Sequence, residues 1–144
     1  RACGGGGAAR AVGGQVGRVV LGGVGCPRIR GGAEHGIRPG LLEARQPTWS
    51  TDSQSIAFQG YDDGAWHIYV IGRDGGEPKA ITSGPFDDRE PAWSHDGSRI
   101  AFSSDRFGGT TTIWDARVAT GEVRQISRRD GWMPSWSPKA RVMA

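Results

Sequence analysis

The residues of this chain that could do chemistry are few, and their spacing argues against most uses. Nucleophilic catalysis on a hydrolase scaffold would place a serine in a G-x-S-x-G elbow, and no such pentapeptide occurs. His35, His67 and His95 fall in a glycine-rich segment, at an expected strand start and in an expected hairpin turn, with no partner at metal-ligand or catalytic spacing. Asp52, Asp62, Asp63, Asp74 and Asp96 all occupy expected turns, where an aspartate bonds its own backbone. A calcium loop needs several oxygens converging within about a dozen residues, and these runs are shorter. Cys3 and Cys26 have no zinc or redox spacing. The reading is therefore no catalytic residue, no metal site and no cofactor.

The aromatic residues are more informative. All six tryptophans lie between Trp49 and Trp136, and none of the 12 aromatic residues lies in residues 1–46, which hold 14 of the 25 glycines. Such a segment cannot bury enough apolar area to offset its ordering entropy. Residues 1–46 are read as a disordered or artefactual tail and 47–144 as the folded part. The chain opens on Arg1 and its first methionine is Met133, so the expectation is a missing start or a tail translated from the wrong frame. Charge divides at the same point: seven arginines against Glu34 and Glu43 give the tail +5, and the remaining 11 basic and 13 acidic residues give −2. A slightly acidic folded part argues against nucleic acid as a partner. No stretch approaches the ~20 apolar residues of a membrane span.

What positions the tryptophans is an internal repeat. Pro47-Thr-Trp49-Ser50-Thr-Asp52-Ser53, followed by Ile56-Ala57-Phe58, recurs as Pro91-Ala-Trp93-Ser94-His-Asp96-Gly97, followed by Ile100-Ala101-Phe102. A third copy opens at Pro134-Ser-Trp136-Ser137, so the offsets are 44 and 43 residues. A second block, Ile68-Tyr69 through Gly76 to Ile81-Thr82, returns 45 residues later as Ile113-Trp114 through Gly121 to Ile126-Ser127. Each copy reads as four short strands. Asp96-Gly97 marks a hairpin because glycine accepts the positive φ that such a turn demands.

Ile56-Ala57-Phe58 and Ile68-Tyr69-Val70-Ile71 are apolar on both faces of a strand, where one wet face would alternate. A small antiparallel sheet buried on both sides must lie between other sheets. Radial stacking of four-stranded blades meets that need, and the period matches the ~40–45 residues of a propeller blade. The predicted fold is all-β: a partial β-propeller with blades at 47–82 and 91–127 and the start of a third at 134. The remaining blades of a ring are missing from this chain.

These residues resemble the TolB-like propeller repeats, relatives of the WD-repeat propellers. The pattern is similar to Pro-x-Trp-Ser-x-Asp-Gly-x-x-Ile-Ala-Phe, then Ser-Asp-Arg, then Ile-Trp or Ile-Tyr and a closing Ile-Thr. The copy at 91–127 matches nearly throughout, including Asp96, Gly97 and Ser104-Asp105-Arg106, the last opening an expected loop that runs to Gly109. The copy at 47–82 has Ser53 in place of the turn glycine and lacks the triplet, and the third copy continues as Lys139-Ala140 with no Asp-Gly. Trp49, Trp93, Trp136, Asp96, Gly97, Asp105 and Arg106 are read as structural repeat residues, the tryptophans filling space between blades. Trp66 and Trp132 stand outside the repeat.

The resemblance implies a non-catalytic scaffold that binds other proteins through loops at the channel mouth, with a periplasmic location suggested and a cytoplasmic one possible. The alternative is an accessory propeller of a larger enzyme such as a prolyl-oligopeptidase-like serine peptidase. Charge and aromatics collect in the two inter-blade loops without repeat periodicity. Their residues Asp87, Asp88, Arg89, Glu90, Arg128, Arg129, Asp130 and Trp132 are the expected partner-contacting set.

Overall fold

The computed structural model describes residues 10–12, 18–20, 35–36, 41 and 43–137. In the amino-terminal segment, β1 (Arg10–Val12), β2 (Arg18–Val20) and β3 (His35–Gly36) form a small antiparallel sheet in the order β1-β2-β3. The disorder expected over 1–46 otherwise lies outside the described residues.

Two four-stranded antiparallel blades follow. The first is β4 (Glu43–Trp49), β5 (Ser55–Asp62), β6 (Ala65–Gly72) and β7 (Gly75–Ala80), hydrogen-bonded in sequence order. The second is β8 (Asp88–Trp93), β9 (Arg99–Phe107), β10 (Thr110–Arg117) and β11 (Val123–Gln125), again in sequence order. The all-β blade architecture is as the repeat predicts. Three boundaries differ. The first strand begins at Glu43 and Leu41 is already buried, so the fold reaches into the segment that composition assigned to the tail. Ser104 to Phe107 continue β9, and Asp88 to Glu90 open β8, where loops were expected. Their polarity hides strand character because their partners lie in the paired strand and the neighbouring loop.

The apolar residues on both strand faces separate into two cores. Ile56, Phe58, Tyr69 and Ile71 point one way and gather Leu41, Ala44 and Trp49. Ala57, Ile68 and Ile81 point the other way and meet Ile100, Phe102 and Ala116 of the second blade, with Trp93 and Trp114 packed against them. This second core is the blade–blade interface. Inserting both blades' central strands there removes their apolar faces from water, which the individual sheets could not do.

The Ser-x-Asp element after each inner strand builds the same turn twice. Ser94 Oγ donates to Asp96 Oδ1 at 2.7 Å, and accepts from the Arg99 amide at 2.9 Å. Asp96 Oδ1 also accepts from the Ser98 amide at 3.0 Å. In the first blade Ser50 Oγ donates to Asp52 Oδ1 at 2.6 Å, and the Ser55 amide donates to Ser50 Oγ at 2.9 Å. These bonds, Ser50 first and then the Gln54 amide, hold the Asp52 carboxyl below the usual carboxylate range. The turn needs a left-handed residue at its fourth position: Gly97 has φ of 69° and Ser53 has φ of 57°.

Candidate interaction rim at the inner-strand ends

The starts of β4 and β8 lie at one end of the blades, with the inter-blade segments that lead into β8 and toward Trp136. The Ser104-Asp105-Arg106 triplet organises this end of the second blade. Asp88, fully buried, accepts from Ser104 Oγ at 2.7 Å and from Arg106 Nε at 3.0 Å, with Arg106 Nη2 donating to its other oxygen at 2.5 Å. The Asp87 amide donates to Asp105 Oδ1 at 3.0 Å, and Arg106 Nη2 reaches the Ser83 carbonyl at 3.3 Å. Arg106 also lies 5.0 Å from the Phe86 ring centre. All three triplet residues therefore strap the inter-blade segment onto β9. A bidentate pair in a buried setting has this effect because breaking either partner strands a charge.

The first blade solves the same position without charge. Ala44 stands where Asp88 stands in the second blade, and Gly60, paired with Ala44, stands where Ser104 does. A Cβ at Gly60 would lie 2.6 Å from Leu41 Cδ2 and 2.9 Å from a Tyr69 ring carbon, so only glycine admits that packing. The absence of a Ser-Asp-Arg triplet from the first copy is thus matched by an apolar plug.

Burial removes Asp88 from the expected partner-contacting set. Asp87 and Arg89 of that set belong to a second repeated feature. Glu43 and Asp87 occupy one repeat position, and Arg45 and Arg89 the position two residues on, on the same strand face. Arg45 Nε lies 2.6 Å from Glu43 Oε1, and Arg89 Nη2 lies 2.7 Å from Asp87 Oδ2. Between the two arginines sits the buried Trp66. Their guanidinium carbons stand 5.4 Å and 5.7 Å from its ring centre, and the Trp66 amide donates to Asp87 Oδ1 at 3.0 Å. Trp66 is thus a cation-stacking residue that joins the blades, a role its lack of repeat periodicity did not specify.

Glu90 is turned inward rather than outward. It has φ of 58°, as Gln46 (49°) and Met133 (52°) have at the matching positions, each immediately before a proline. The kink coincides with the register shift between Arg89 and Ala92, and the shift between Arg45 and Thr48 matches it. The amides freed there are caught by the preceding blade: Glu90 N donates to Gln59 Oε1 at 2.9 Å, and Met133 N donates to Glu90 Oε2 at 2.7 Å. The same Glu90 oxygen accepts from Ser103 Oγ at 2.9 Å. Left-handed backbone at a non-glycine residue before proline is disfavoured twice, so these cross-blade bonds are what hold it.

In the third copy the pattern changes. Asp130 takes the acidic position and Trp132 the arginine position, with Trp132 62% and Met133 71% exposed. Arg128, Arg129 and Asp130 are exposed as well. Among the described residues the Asp130 carboxylate has no ion pair.

The family described as the TolB beta propeller domain matches residues 36–144. The chain belongs to this family. Its blades are similar to those of a putative TolB from Agrobacterium tumefaciens, at 32% identity and a TM-score of 0.64, over 68% of this chain and 36% of that one. TolB from Acinetobacter baumannii is similar at 23% identity and a TM-score of 0.57, over 74% of this chain and 27% of that one. A puromycin hydrolase shares the fold at 20% identity and a TM-score of 0.53, over 62% of this chain and 15% of that one. No curated protein matches the sequence. The chain thus spans about a third of the TolB structures it resembles and is a partial propeller. In this chain the Ser104-Asp105-Arg106 triplet serves as the strap that holds the inter-blade segment onto β9. Among the described residues no helix is long and apolar enough to cross a membrane.

Proposed function

We propose that this TolB-type partial propeller is a non-catalytic platform that binds another protein through the rim at its inner-strand ends. The observation that carries this reading is the exposed Trp132, at the repeat position where the first two copies place ion-paired arginines, with the exposed Met133 beside it. Aromatic and methionine side chains exposed in the segment that follows a blade are the residue types that anchor protein interfaces. The repeated Trp49, Trp93 and Trp136 belong to the scaffold and take no part. The periplasm is the compartment that the family resemblance favours.

Site-specific photocrosslinking in cells of the parent organism tests the proposal. A crosslinker at Trp132 should give one discrete protein adduct, and one at His95, in the hairpin at the opposite end of β8, should give none. Equal labelling from both positions, or none from either, would sink the reading. Fractionation of the same cells checks the compartment.

A further inference from the structure

We propose that Asp130 and Trp132 form a receiving position for an arginine or lysine side chain of the partner, an inference that deepens the proposed interaction and rests on it. The molecule contains its own template. One repeat earlier, the Arg89 guanidinium is held between a carboxylate and an indole: Asp87 Oδ2 at 2.7 Å and the Trp66 ring centre at 5.7 Å. Arg45 uses the same elements, with Glu43 at 2.6 Å and the other contact to Trp66 at 5.4 Å. At the third copy the carboxylate remains as Asp130, and an indole occupies the arginine's own position as Trp132. Acid and ring are both present and exposed, and among the described residues no cation lies between them.

The neighbouring cations do not fill the gap. Arg128 and Arg129 are exposed, and neither pairs with Asp130 among the described residues. Ser127 Oγ accepts from the Arg129 amide at 3.1 Å and donates to the Arg129 carbonyl at 2.9 Å, which turns this stretch locally. Glu90 fixes the other side of the position through the Met133 amide, so Trp132 is presented from an anchored backbone. A guanidinium or ammonium stacked on the indole would gain the ring's quadrupole attraction and the carboxylate's charge together. The exposed Met133 offers an apolar shoulder, so the matching partner segment carries a basic residue beside an apolar one.

The test uses the full 144-residue chain and a labelled pentapeptide, Ala-Leu-Arg-Leu-Ala, with versions carrying citrulline or glutamate in place of arginine, read by fluorescence anisotropy. The arginine peptide should bind about ten-fold more tightly than the citrulline peptide. Trp132→Ala should lower its affinity by about ten-fold and Asp130→Asn by several-fold, while Trp132→Phe retains most of it. Equal binding of arginine and citrulline, indifference to Asp130→Asn, or no saturable binding up to millimolar concentration would each overturn the inference. Tightest binding of the glutamate peptide, lost in Trp132→Ala, would also overturn it. That last outcome would leave the rim as an interaction surface working through Arg128 and Arg129, so the two proposals fail separately.

Discussion

The indole Nε1 of Trp93 donates to the carbonyl oxygen of Thr48, 3.2 Å away on the inner strand of the preceding blade. One repeat on, Trp136 Nε1 donates to the Ala92 carbonyl at 3.1 Å. The repeated tryptophan is therefore both a space-filler and a polar link between neighbouring inner strands, which is why leucine or phenylalanine would not replace it. Thr51 Oγ1 adds a parallel link to the Ser94 carbonyl at 3.2 Å.

Trp93→Ala removes ring and bond together and should cost about 3 kcal/mol in a denaturant melt, at the low end for large core truncations because the ring is only half-buried. Trp93→Phe keeps much of the packing and should cost about 1 kcal/mol, the worth of the hydrogen bond. Trp132→Ala, at an exposed site, should change stability by less than about 0.5 kcal/mol. Equal losses at positions 93 and 132 would contradict this assignment.

Ser53 has φ of 57° where the second blade has Gly97 at 69°. A serine there carries a steric cost that glycine lacks, and nothing in the turn uses its side chain among the described hydrogen bonds. Ser53→Gly should therefore stabilise the chain by a few tenths to about 1 kcal/mol, and Gly97→Ser should destabilise it by a similar amount. Thermal melts of the two variants check both signs at once.

Asp88→Ala should cost about 3 kcal/mol or more, since it leaves Arg106 and Ser104 without their acceptor in a buried setting. Arg106→Lys should recover only part of the loss in an Arg106→Ala comparison, because an ammonium cannot bond both carboxylate oxygens and the Ser83 carbonyl in the same geometry. Hydrogen exchange at the Asp87 amide, which bonds Asp105, reports whether the inter-blade strap has loosened. Unchanged exchange in Asp88→Ala would show that the strap holds without the ion pair.

Leu41 is buried against Gly60 and Tyr69, upstream of the first repeat. Limited proteolysis should leave a protected fragment whose amino terminus lies before Leu41, and Leu41→Ala should cost about 2 kcal/mol or more. A protected core starting at Pro47 would place the boundary where composition alone drew it.

Much of this architecture was legible in the chain because its signals are local. The 44-residue return of Pro-x-Trp-Ser, the two-sided apolar strands and the Asp-Gly turn each depend on neighbours a few residues away, so spacing and residue type suffice. The strain at Ser53 was readable for the same reason: a repeat shows which backbone a position must adopt. Other features were decided only when strands far apart in sequence met. Asp88 reads as a loop carboxylate until β8 pairs with β9 and brings Ser104 and Arg106 to it. Trp66 has no repeat partner, and its place between Arg45 and Arg89 depends on two inner strands approaching from different blades. The left-handed kinks before Pro47, Pro91 and Pro134 run against the local preference of a residue preceding proline. Before Pro91 and Pro134 the cross-blade acceptors Gln59 and Glu90 supply what local preference opposes, and that balance of local cost against distant bonds exists only in the folded molecule.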